Sequence, residues 1–182
     1  MTRPGVLAAV VAVVAALAGG WPLLNAAVGD GLDRQRLAAG EVLVLAGGDY
    51  SARFTVGRGW TMRKSASDSA QGYTLTRGAV ELRVNRLIPA GRPTLRQLWG
   101  GLREVLRAGD PAAALGRPRP AGDGLAGPAA RNGMTGVLTV RFAPDRKTAV
   151  STTALGGRGA AARDRAAAGR VVESLTFVRG SR

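Results

Sequence analysis

The chain has 182 residues, with 24 Arg, 2 Lys and 12 Asp plus Glu, for a formal charge of +14. It contains no Cys and no His. Disulfides, thiolate nucleophiles, iron–sulfur clusters, imidazole metal sites and a Ser–His–Asp triad are therefore excluded. Arg rises together with 33 Ala and 27 Gly while Lys almost vanishes. All three favoured residues have GC-rich codons, so mutational bias competes with a functional basic surface as the source of the charge. A nucleic-acid binder would cluster its cations among aromatics. Here the Arg residues are scattered and aromatics make up 4%, so no nucleic-acid partner is expected.

Residues 6–24 (VLAAVVAVVAALAGGWPLL) carry no charge. Nineteen helical residues at about 1.5 Å each span roughly 29 Å, close to a hydrocarbon core of about 30 Å. Trp21 falls where an indole favours the membrane interface. The segment reads as an N-terminal transmembrane signal anchor over 1–29, followed by a juxtamembrane linker over 30–40 and an extracytoplasmic domain over 41–182. One alternative is a cleaved signal peptide, with Ala16-Leu17-Ala18 as its small-residue site and a secreted product; the other is a buried soluble helix, since Ala and Gly make the segment only moderately hydrophobic. Arg3 is the only charged side chain ahead of Asp30, and so short a tail is expected to stay inside during export.

Within the domain, 41–46 (EVLVLA) and 50–56 read as a β-hairpin around Gly47-Gly48-Asp49. Tyr50, Ala52, Phe54 and Val56 share one face of its second strand. Trp60 and Met62 open a third strand, and 65–71 (SASDSAQ) is a polar loop. Tyr73 and Leu75 precede Arg77-Gly78, after which Val80, Leu82 and Val84 alternate with Glu81, Arg83 and Asn85, a second hairpin. The period then changes. In TLRQLWGGLREVLRA, Leu95, Leu98, Trp99, Leu102, Val105 and Leu106 form one helical stripe. Thr94 and Gln97 form a capping box, and Gly109 is the expected C-cap. Asp110-Pro111 signals a second, short helix ending near Gly116. The Gly- and Pro-rich stretch 117–133 reads as a long irregular loop with room for one short strand. Residues 134–142 and 147–155 form a late hairpin across the turn 143–146. A helix is expected over 159–174 and a short strand over 175–178. The fold class is α+β: an antiparallel sheet of about five to seven strands covered by two main helices, preceded by one transmembrane helix.

The motifs carry little chemistry. Gly122-Asp123-Gly124-Leu125-Ala126-Gly127 matches the dinucleotide fingerprint literally, but the mechanism needs a strand before it and a helix after it. Prolines on both sides (Pro118, Pro120, Pro128) argue for a loop, so no cofactor is expected. Glu41, Glu81, Glu104 and Glu173 lie on separate elements, and Glu81 and Glu104 have Arg neighbours, which reads as solvated ion pairing. Asp30 and Asp33 are an isolated pair, so no metal site is expected. Trp60 and Trp99 align with apolar patterns as core anchors. Arg96, Arg103 and Arg107 fall within about 40° of one another beside the helical stripe. They are the candidate contacts for an anionic surface or partner: anionic lipid, wall polymer or protein.

The run Phe54-Thr55-Val56-Gly57-Arg58-Gly59-Trp60 resembles the "f-x-v-P-x-G-W" opening strand of PsbP-like domains, with Gly57 where Pro is usual. The order of elements over 52–178, including Leu98-Trp99 on the helix and Ser174-Leu175-Thr176-Phe177 at the end, is similar as well. The resemblance implies an α/β/α sandwich of exported, membrane-anchored, actinobacterial-type proteins, with a non-catalytic binding or accessory role and no catalytic residues. Lipoprotein members use a Cys that this chain lacks, so the membrane would be met through its own anchor. The expected function is a single-pass, membrane-anchored extracytoplasmic binding domain. The alternatives are a carboxylate-dependent hydrolase and a basic cytoplasmic nucleic-acid-binding module. Oligomeric state is not legible.

Overall fold

The computed structural model of the chain describes residues 33–180. Residues from Arg36 onward form one compact unit; the chain up to Gln35 is a separate unit, of which only 33–35 are described. The strands are β1 (Arg34–Arg36), β2 (Val42–Leu45), β3 (Tyr50–Thr55), β4 (Thr61–Arg63), β5 (Gly72–Arg77), β6 (Val80–Leu87), β7 (Ala114–Leu115), β8 (Arg119–Ala121), β9 (Gly124–Arg131), β10 (Met134–Phe142), β11 (Ala149–Gly156) and β12 (Thr176–Arg179). The helices are α1 (Leu95–Gly109), between β6 and β7, and α2 (Ala162–Glu173), between β11 and β12. A single 3₁₀ turn, Lys64–Ala66, follows β4.

The strands form two sheets, which corrects the expected single sheet of five to seven. The larger has nine strands in the order β1-β4-β5-β6-β11-β10-β9-β7, with β8 also paired to β9. The smaller has the order β12-β3-β2. The expected transmembrane helix falls on residues 1–29, outside the described residues. Among the described residues no helix is long and apolar enough to cross a membrane, so the fold class is two antiparallel sheets with two helices. Leu37, inside the stretch read as a linker, is buried, and its N–H donates to the Trp60 carbonyl at 3.0 Å.

The large sheet has two different faces because its strands alternate. Leu75, Val80, Leu82, Val84 and Val150 point to one side. There they meet Leu45, Ala52 and Phe54 of the small sheet, Val56 just after it, and Ala167, Ala168 and Val171 of α2. Leu125, Leu138, Val140, Ala149 and Leu155 point to the other side, where Trp99 of α1 covers them. Both Trp60 and Trp99 are 1% exposed, one in each core. On the α2 side, Arg77 of β5 donates from Nε to Asp164 Oδ1 at 2.9 Å and from Nη1 to the Arg58 carbonyl at 2.7 Å. Asp164 lies in the first turn of α2, where a carboxylate also favours the helix dipole.

Helix α1 begins as its sequence predicts. Gln97 N–H donates to Thr94 Oγ1 at 3.2 Å, and Thr94 N–H donates to Gln97 Oε1 at 2.8 Å. Its end differs: Gly109 is the last helical residue and Asp110, in extended conformation, is the C-cap. Asp110 does not start a helix either. Its Oδ1 accepts from Ala112 N–H at 2.9 Å in a local turn, and the chain runs into β7.

The largest departure is at 117–131, where the expected loop is β8 and β9. Gly122, at φ +58°, is the first residue of a two-residue turn that pairs Ala121 with Gly124. The rest of the fingerprint-like run lies inside β9, so it forms no phosphate loop. Glycine and proline favour neither strand nor helix and alanine favours helix, so tertiary contact decides that the stretch is a strand. β9 pairs with β10 over eight residue pairs, from Met134↔Arg131 to Arg141↔Gly124. Gly127 leaves room for the Trp99 ring, because a Cβ there would lie 2.8 Å from Trp99 Cζ2 and 2.9 Å from the Arg117 carbonyl oxygen. Arg141 closes the far end. Its Nε and Nη2 donate to the two Asp123 oxygens at 2.6 and 3.0 Å, and this pairing holds the Asp123 carboxyl below its ordinary pKa.

Two glycine substitutions should therefore have opposite signs. Gly127→Ala should lower stability by about 1–3 kcal/mol, because neither the packed indole nor a backbone oxygen can move aside cheaply. Gly100→Ala, where a Cβ meets nothing within 4 Å, should raise stability by up to about 1 kcal/mol through helix propensity. Urea unfolding followed by circular dichroism measures both.

Candidate functional site: the groove beside helix α1

Helix α1 covers only part of its face of the large sheet. Trp99 sits over β9 and β10, and the helix leaves Glu81, Arg83 and Asn85 of β6 and Thr153 of β11 beside it. The result is a groove of about 390 Å³. Its apolar wall is Leu102, Val105 and Leu106 of α1 with Leu138 of β10 and Leu155 of β11. Val105 is 70% exposed, unusual for a residue on the helix's apolar stripe.

The opposite wall is polar. Glu81, Arg83 and Asn85 of β6 and Ser151 and Thr153 of β11 line it. The register explains the cluster. Arg83 lies opposite Thr153, and Asn85 lies opposite Ser151, so all four project from adjacent strands on the same face. Continuing the Arg83 row, Thr153 pairs with Leu138 of β10. One row of the sheet thus passes from a guanidinium through a hydroxyl to an apolar side chain under the helix. Arg131, at the end of β9, and Gly109, at the end of α1, close one end of the groove.

Arg83 Nε donates to Glu81 Oε1 at 2.7 Å. This fixes the guanidinium plane and leaves the two terminal nitrogens without a partner among the described residues. Nor do the side chains of Asn85, Ser151 and Thr153 hydrogen-bond another described residue. Arg131 Nε is buried and also lacks a partner. The groove therefore holds an apolar surface on one side and several unused hydrogen-bonding groups on the other. Among the residues that line it, Glu81 is the sole carboxylate. Among all described residues, no three His, Cys, Asp or Glu side chains come together as a metal site.

The three arginines singled out on the sequence lie elsewhere. Arg96 and Arg107 are exposed and Arg103 is half-buried, all on the flank of α1 away from the groove. Arg103 Nε is buried without a hydrogen-bond partner. The structure does not bring them into the cavity. Conversely, the alternation on β6 marks Glu81, Arg83 and Asn85 as one face, but this face reads as an ordinary solvated one. The signal that could have separated them is the run of hydroxyls in 151–153, opposite Arg83 and Asn85 once β11 is paired with β6.

No protein-family model matches the chain, and no curated protein matches it. Among solved structures it is similar to cyanobacterial PsbP (CyanoP) from Synechocystis sp. PCC 6803, with a TM-score of 0.52 and 11% identity, over 78% of this chain and 95% of that one. A structure from Bacteroides thetaiotaomicron VPI-5482 is similar at a TM-score of 0.43 and 13% identity, over 77% of this chain and 49% of that one. The first likeness concerns the fold alone; it reaches neither source type nor membrane attachment. The chain has a PsbP-like fold.

Proposed function

We propose that the chain is an exported, non-catalytic binding domain that holds a ligand or partner in the groove beside α1. The observation that carries this reading is the groove itself: an exposed apolar helix edge facing polar groups that no described residue satisfies. Unused hydrogen-bonding capacity next to apolar surface is the ordinary composition of a ligand site. A hydrolase would need a second carboxylate to divide acid and base roles. Glu81 has no such neighbour in the groove and is tied to Arg83 instead. The uncharged run 6–24 supports export from the cytoplasm.

A photo-crosslinking residue placed at Val105 should capture a molecule from the cell envelope, whereas one at Glu104, exposed on a flank of α1 that does not line the groove, should not. Equal labelling at the two positions, or none at Val105, overturns the groove reading. Protease added to intact cells should digest residues 41–182, and their protection until lysis overturns export.

Arg96, Arg103 and Arg107 supply a second contact surface for an anionic lipid, wall polymer or acidic protein. The desolvated, unpartnered Nε of Arg103 favours this, since a nearby negative charge offsets the cost of burying it. Replacing all three by Glu should reduce retention of the protein on anionic vesicles or wall fragments at low salt. Unchanged retention assigns the charge to composition.

A further inference from the structure

We infer that the occupant of the α1 groove is a small amphipathic oxyanion, with one carboxylate or phosphate on the Arg83 guanidinium and a compact apolar body under α1. This rests on the reading of the groove as a binding cleft and names its ligand class. Glu81 accepts from Arg83 Nε, so the side chain is held from behind and its terminal nitrogens are left as a fork. Two parallel N–H groups in one plane match a carboxylate or phosphate bidentately. Thr153 lies directly across from Arg83, and Asn85 and Ser151 lie one pair further along, so neutral donors flank the same position.

The apolar part follows from the same row. Leu138 lies two strands from Arg83, about 10 Å away at ordinary strand spacing. There it meets Leu102, Val105 and Leu106 from above. A head group on Arg83 therefore leads directly into hydrocarbon, and a cavity of about 390 Å³ limits the body to a small one. The charge balance points the same way. Arg83 and Arg131 line the groove against Glu81 alone, and the buried Arg131 Nε has no partner to neutralise it. An anion is attracted along the whole groove, and a cation is not.

The test uses decanoate, decanol and decylamine with the full chain, read by amide chemical-shift changes and by calorimetry. Decanoate should bind saturably with shifts at Arg83, Thr153 and Val105, at least tenfold more tightly than decanol, and decylamine should not bind. Arg83→Gln should erase the preference for decanoate while leaving decanol unchanged. Glu81→Gln keeps an acceptor for Nε and removes the opposing charge, so it should tighten decanoate several-fold; thermal melts confirm that each variant is folded. Equal binding of decanol and decanoate in the groove overturns the oxyanion and leaves the cleft standing. No groove shift with any of the three overturns this ligand class, and the Val105 crosslink then judges the cleft separately. Weaker decanoate binding by folded Glu81→Gln also counts against the inference.

Discussion

The Trp99 indole lying over Gly127 is the contact on which the α1 side of the structure depends. A buried tryptophan removes about 150–250 Å² from water, worth roughly 4–6 kcal/mol as an upper figure. Its Nε1–H donates to the Gly116 carbonyl at 3.2 Å, so the polar edge is satisfied as well. One side chain thus joins α1 to β9 and to the chain just after β7. It also fixes where the helix lies. Seated over β9 and β10, α1 stops short of Glu81, Arg83 and Asn85 on β6 and Thr153 on β11, and the groove lies over them.

The two faces of the large sheet divide the work. The face toward α2 and the small sheet is apolar core over β5, β6 and Val150, sealed at one edge by Arg77 and Asp164; further along it, beside α2, Thr139 and Thr152 hydrogen-bond each other and line a second groove. The face toward α1 is apolar only under the helix and turns polar within one strand spacing. Several of the few acidic residues are spent on structural ties: Asp164 on Arg77, Asp123 on Arg141, Glu81 on Arg83 and Asp49 on Lys147. The exposed ties contribute little individually. Among the described residues the arginines outnumber the carboxylates these ties leave over, and position decides which cations matter. Arg83 faces a cavity, whereas Arg96 and Arg107 face open solvent.

Strongly periodic segments were legible in the sequence. Tyr50 to Val56, Val80 to Val84 and the Trp99 stripe appear as β3, β6 and α1, because each buries one face and its period records that burial. The Thr94–Gln97 box is local chemistry and forms as read. Residues 119–131 were not legible, because Gly124, Gly127 and Pro128 carry no strand propensity. The hairpin joining β9 and β10 did leave a signal: Asn132 and Gly133, both at positive φ, form the two-residue turn between Arg131 and Met134. Asp110-Pro111 misleads because an Asp before a Pro caps a turn as readily as a helix.

The sequence by itself determined the excluded chemistries, the amphipathic helix, most of the strands and the identity of both tryptophan anchors. These depend on composition and on neighbours within a few residues. It also carried the resemblance to PsbP-like domains, which the fold comparison supports at the level of architecture. Only the tertiary structure decided that the strands divide into two sheets, that a Gly-rich stretch completes the larger one, and that Arg83 meets Thr153 and Leu138 in one row. Strand order and register join residues far apart in the chain, such as 83 and 153, and no local pattern records which distant strand will lie alongside. The groove exists through that pairing together with the helix that stops short of it.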